Sequence, residues 1–186
     1  MIFWRLLILV YAAFSPFSAQ ADLAADKEAI ECFLKSGEVV SIAETDLDRD
    51  GVIDLLVTTD KDGQRTLSLL YREFDGSFRE YVSSNKALLC RTCGGAMGDP
   101  LVSIETRQNK IRIEHFSGSA WRNSHVALFE YNDENREWYL AELQTASFHA
   151  SNPDDIRESL LLHGDQLDYL SLQDYDIDKS PAEQIN

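Results

Sequence analysis

From Glu38 to Phe148 the chain is a succession of short runs rich in β-branched, aliphatic and aromatic residues, punctuated by turn chemistry. That rhythm admits few folds. Arg65 to Phe74 alternates, with Leu67, Leu69 and Tyr71 facing one way and Ser68, Leu70 and Arg72 the other, which predicts a strand. The runs Glu38 to Ala43, Val52 to Thr59, Phe78 to Val82, Leu101 to Arg107, Lys110 to Phe116, Trp121 to Tyr131 and Trp138 to Phe148 read the same way. Asp60 to Gln64, Asp75-Gly76, Gln108-Asn109 and Asn132 to Glu137 supply turns that join them as hairpins. Upstream, Leu23, Lys27, Ile30 and Leu34 fall near one face of a helix over Asp22 to Ser36, which Gly37 ends. The expectation is a mainly β (α+β) chain: an antiparallel sheet or sandwich of hairpins, packed on itself or on one N-terminal helix.

The ends bound the domain. Arg5, the apolar run Leu6 to Phe14, Pro16 and the small-x-small Ala19-Gln20-Ala21 read as a secretory signal peptide over residues 1–21. The alternative is an uncleaved anchor, but the run is short of the ~20 residues a bilayer needs. The nearest cysteine, Cys32, is too far from Ala21 for a lipid-anchored lipoprotein. An Ala-Gln-Ala ending suits a bacterial signal peptidase, so the expected location is the periplasm or outside the cell. Residues 22–175 then form a single β-rich domain. From Ser151 the chain is acidic and less regular, with Leu160 to His163 and Leu167 to Leu172 as short edge strands and residues 176–186 as a flexible acidic tail.

With 17 basic and 32 acidic residues, the formal charge is −15. Such a surface repels nucleic acid and anionic lipid and favours cations and basic partners.

Part of that acidity is concentrated in Asp46-Leu47-Asp48-Arg49-Asp50-Gly51-Val52-Ile53-Asp54. Alternating carboxylates, a glycine and a further carboxylate wrap a short loop around a hard cation. Asp46, Asp48 and Asp50 are the expected side-chain ligands of Ca2+, with the Val52 carbonyl as a backbone ligand. Asp54 acts directly or through water, and Ile53 is expected to point into the core. The usual EF-hand glutamate is missing, because its place falls on Val57, and strands flank the loop. A structural ion of modest affinity follows, on the order of 0.1–1 mM. The competing reading is an acidic turn that needs no ion.

Three cysteines leave one thiol over in any pairing. Cys90 and Cys93 are spaced to bridge each other, and either is an alternative partner for Cys32. The favoured reading is a loop closed by Cys90 and Cys93. A thioredoxin-like role fits poorly, because the motif runs into Gly94-Gly95 rather than a helix. Zinc would need two more ligands nearby.

The segment Cys90-Arg91-Thr92-Cys93-Gly94-Gly95-Ala96-Met97-Gly98-Asp99-Pro100 is followed by Gly118-Ser119-Ala120-Trp121-Arg122. Together with the Asp-rich loop, this order resembles a group of bacterial exported proteins that carry one FG-GAP/VCBS-like loop and CxxCGG…GDP…GSAWR motifs. The likeness spans about Val39 to Leu140. It implies an exported β domain without catalytic hallmarks, and it carries over no activity. From the residues themselves, Trp121 and Trp138 are expected core anchors. Arg122 is expected either to pair with Asp99 or to lie across an aromatic ring. Gly94, Gly95, Asp99, Trp121 and Arg122 form a possible recognition surface.

His115, His125, His149 and His163 form no HExxH pair, and no GxSxG elbow is present. A serine nucleophile beside His115 or His125, or a carboxylate pair for glycoside hydrolysis, is the enzymatic alternative. The leading reading is a monomeric calcium-binding protein that engages a protein or envelope component. An immunity protein plugging the basic cleft of a secreted toxin is the runner-up, and a hydrolase the alternative of a different class.

Overall fold

A computed structural model describes residues 30, 31, 34 and 37–184. The signal-peptide reading, most of the N-terminal helix and Cys32 lie outside the described residues. Residues 30, 31 and 34 are helical. Nine strands follow: β1 (Glu38–Thr45), β2 (Asp54–Lys61), β3 (Gln64–Arg72), β4 (Phe78–Ser84), β5 (Leu101–Arg107), β6 (Lys110–Gly118), β7 (Trp121–Asn132), β8 (Glu137–His149) and β9 (Asn152–His163). They form two antiparallel meanders, β1-β2-β3-β4 and β5-β6-β7-β8-β9. The expected mainly β architecture of hairpins is therefore the one observed.

The alternation of β3 explains how the sheets pack. Leu67, Leu69 and Tyr71 join Leu56 in the main core, against Ile111 and Ile113 of β6 and Ala127 and Phe129 of β7. Leu70 turns to the other face with Leu55 and Val57, where Ile30 is buried. The first sheet is thus covered on both sides, and Asp54 through Asp60 are all buried. A strand buried on both faces loses the polar/apolar alternation of a half-exposed one. Trp138 anchors the core and donates its indole N–H to the Tyr71 hydroxyl at 3.1 Å.

Three expectations about the chain after His149 change. Residues 152–163 form one continuous strand rather than a short piece at Leu160 to His163, because β8 extends far enough to template it. Leu167 to Leu172 is not a strand. A 3-10 turn at Gly164–Leu167 leads into a loop that rejoins β8, with the Leu140 amide donating to the Leu170 carbonyl and the Leu172 amide to the Trp138 carbonyl, each at 2.8 Å. Leu167, Leu172 and Tyr175 are core residues. The segment expected to be a flexible tail packs Ile177 on the core and bonds its amide to the Lys86 carbonyl at 3.0 Å. Among the described residues, no helix is long and apolar enough to cross a membrane.

Candidate metal centre

The Asp-rich loop connects β1 to β2 and is held from two directions. Leu47 is fully buried in the main core. Asp54, 1% exposed, accepts the Leu47 amide at 2.9 Å on Oδ2 and the Arg72 amide at 3.0 Å on Oδ1. The chain between them must therefore bulge outward. Leu47, fully buried, takes the anchoring role expected of Ile53, which is 43% exposed.

Asp46, Asp48 and Asp50 project into that bulge, each with one carboxylate oxygen within 4.8 Å of the others. Turn bonds fix them: the Asp50 amide donates to Asp48 at 3.2 Å, the Gly51 amide to Asp46 at 3.1 Å and the Val52 amide to Asp50 at 2.7 Å. Gly51 has φ 88° and open space where a Cβ would sit, so glycine is required there for conformation rather than room. Arg49, also left-handed at φ 63°, turns away from the carboxylates and pairs with Asp133 in the β7–β8 turn at 3.2 Å.

Three close carboxylates repel one another. Asp48 is raised above the ordinary carboxylate value by burial, then by Asp50 and Asp46. Asp54 is pushed up to about 6, chiefly by burial, although its two backbone hydrogen bonds oppose the shift. The Asp46 Oδ1 is buried and has no hydrogen-bond partner. A buried carboxylate oxygen without a partner, in a residue clustered with two other carboxylates, is what a hard, oxygen-seeking cation would satisfy. Three carboxylates make an all-oxygen donor set that could hold a metal ion. Asp54, with both oxygens engaged, stands behind this cluster as a brace, and Val52 is half-buried beside it.

Cys90 and Cys93 are joined as a disulfide. The glycines after it and the GSAW turn lie side by side: Gly95 bridges Gly118, the Gly118 amide donates to the Gly94 carbonyl at 3.0 Å, and the Ala96 amide to the Ser119 hydroxyl at 3.3 Å. A Cβ on Gly94 would fall 2.1 Å from the Gly98 carbonyl oxygen, so the loop closes only around glycine. The two motifs meet, but not through the expected pairs. Asp99 is gripped by both terminal nitrogens of buried Arg65, while Arg122 donates to the Gly118 carbonyl at 3.0 Å. Trp121, the first residue of β7, is 38% exposed rather than core. It lies against His149 and under Arg157.

Sequence reasoning named His115 and His125 only as alternative bases beside a serine and missed their pairing. His115 and His125 face each other across β6 and β7, and Tyr175 hydrogen-bonds His125. Burial pushes His115 down to about 3 and His125 to about 4. Only strand register brings them together.

Fold and loop together define the class: a two-sheet antiparallel β protein with one Asp-rich candidate cation loop. No family model matches the chain, and no curated protein does. A solved structure described as a Xanthomonas type IV secretion system related protein aligns with a TM-score of 0.40 and 16% identity, over 66% of this chain and 53% of that one. The chain thus spans about half the length of that protein.

Proposed function

We propose that this is an exported, periplasmic calcium-binding β protein that acts by binding a protein or envelope component rather than by catalysis. The observation that carries the calcium reading is the cluster of Asp46, Asp48 and Asp50, one carboxylate oxygen of each within 4.8 Å of the others, with the Asp46 Oδ1 left buried and unpartnered. Calcium would close the bulge between Leu47 and Asp54 and relieve carboxylate repulsion at no cost to the core.

The hydrolase alternative is less well supported. His115 and His125 line one cavity with Ser117 and Glu158. Imidazoles pushed down to about 3 and 4 are weak bases near neutral pH. Among the described residues, neither hydrogen-bonds a serine hydroxyl. The immunity-protein reading is favoured by the charge of −15, which suits a basic cleft, and it predicts binding that weakens steeply with salt.

Thermal unfolding in EDTA and then in millimolar calcium tests the site. A calcium-specific rise of several degrees is expected, as for any ligand that binds only the folded state. Asp48→Ala with Asp50→Ala should abolish it. Equal melting of the wild type in both conditions would reduce the loop to an acidic turn.

A further inference from the structure

The Cys90–Cys93 disulfide adds little that its loop lacks without it. The two cysteines are 3 positions apart, so the bond closes a very short loop and removes little freedom from the unfolded chain. The main chain around it is already pinned. The Leu89 amide donates to the His115 Nε2 at 3.4 Å, and the Arg91 amide to the Gly63 carbonyl at 2.9 Å. The Cys93 amide donates to the Cys90 carbonyl and the Gly118 amide to the Gly94 carbonyl, each at 3.0 Å. A bond that contributes little to the fold and stands at the surface is of the labile kind, open to exchange with thiols.

Its two sulfurs are not equivalent. Cys93 is exposed and is followed by Gly94 and Gly95, which place no side chain beside it. Cys90 is half-buried, and its Sγ lies 3.6 Å from the Thr92 Oγ1. A disulfide sulfur carries no proton, so the hydroxyl is the donor. That hydrogen bond strengthens when the sulfur becomes a thiolate, which makes Cys90 the better leaving group. The residues after Cys93 form turns rather than a helix. The hydroxyl thus does here what a helix N-terminus does for other reactive cysteines.

We infer that Cys90–Cys93 is a thiol–disulfide exchange site that takes electrons from cysteine thiols. A thiolate attacks the Cys93 Sγ and forms a mixed disulfide. The Cys90–Cys93 bond breaks, and its electron pair leaves on Cys90, which takes up a proton. A second thiolate attacks the sulfur of the first, and the pair leaves on Cys93, which is protonated in turn. Two thiols are oxidised to one disulfide while the protein's disulfide is reduced to two thiols. The site is separate from the Asp-rich loop and does not depend on calcium.

The purified protein, held in millimolar reduced glutathione, then quenched and alkylated, tests this by peptide mass mapping, which keeps Cys32 distinct. Cys90 and Cys93 should be alkylated while circular dichroism stays native, and oxidised glutathione should restore the bond. A reduced two-cysteine peptide used in place of glutathione should emerge disulfide-bonded. Reaction with the peptide alone would assign the site to protein thiols, and reaction with both to thiols in general. Thr92→Val should slow reduction severalfold, whereas Thr92→Ser keeps the hydroxyl and should react like wild type. Thr92 is exposed, so neither change should move the melting temperature. A bond that stays oxidised with either thiol until urea unfolds the chain would be a structural staple. Equal rates in Thr92→Val and wild type would remove Cys90 as the leaving group. Either result overturns the inference.

Discussion

Asp54 does a different job from the three aspartates before it, and a single substitution separates the two. Its oxygens accept amides from Leu47 and Arg72, which ties the loop both to itself and to the end of β3. Asparagine keeps the shape but offers one acceptor oxygen and turns an NH2 toward the second amide. Leaving that amide unpaired costs about 1–3 kcal/mol. Asp54→Asn is therefore expected to lower the melting temperature in EDTA, where no cation contributes. Asp48→Ala with Asp50→Ala removes repulsion but also the acceptors of the Asp50 and Val52 amides, so it should melt in EDTA close to the wild type and lose the response to calcium. If Asp54→Asn melts like wild type in EDTA, the bracing role is wrong. Leu47→Ala should cost more, about 2–5 kcal/mol, because it empties a core position.

At the scale of elements, β9 is the exception. Its residues are exposed except for a half-buried Leu162, it borders only β8, and it carries Ile156, Leu160 and Leu161 outward. An edge of that length invites pairing with another chain. Pro153, Asp154, Asp155 and Glu158 are the residues that discourage it. Asp154→Val with Asp155→Val should leave the melting temperature nearly unchanged, since both are exposed, yet raise light scattering over hours at high concentration. Unchanged scattering would mean that charge on this edge is not protective. The same strand marks where sequence reading stops. Asn152 to Ser159 lacks β-forming composition, so its extension is imposed by β8. In contrast, β3 was legible because its alternation serves two cores, and the Asp loop was legible because its ligands are neighbours in sequence. The histidine pair needed the register of β6 on β7, and the exposure of Trp121 needed the packing around the start of β7.

For the whole molecule, the buried titratable groups set the response to acid. His115 and His125 have folded values of about 3 and 4, below the ordinary 6.5. Between pH 6.5 and 4 the unfolded chain takes up two protons that the folded one refuses, so stability falls as pH falls. Asp54 acts in the opposite sense. Its folded value of about 6 lies above the ordinary 3.8, so between those limits the folded state takes up a proton that the unfolded chain does not. Asp48, also raised, offsets in the same sense, so the two histidine protons outweigh the carboxylates by less than about 1.4 kcal/mol per pH unit between pH 6 and 4 in EDTA. Asp99, held down by Arg65, adds its own loss only below about pH 4. Saturating calcium would keep Asp48 and Asp54 ionised, remove the offset and make the acid limb at least twice as steep. His125→Gln, which can still bond the Tyr175 hydroxyl, should cancel one histidine and leave stability nearly flat from pH 6 to 4 in EDTA. Urea unfolding at half-unit pH steps measures this slope directly. A variant with the wild-type slope would place the acid sensitivity elsewhere than in the pair facing each other across β6 and β7.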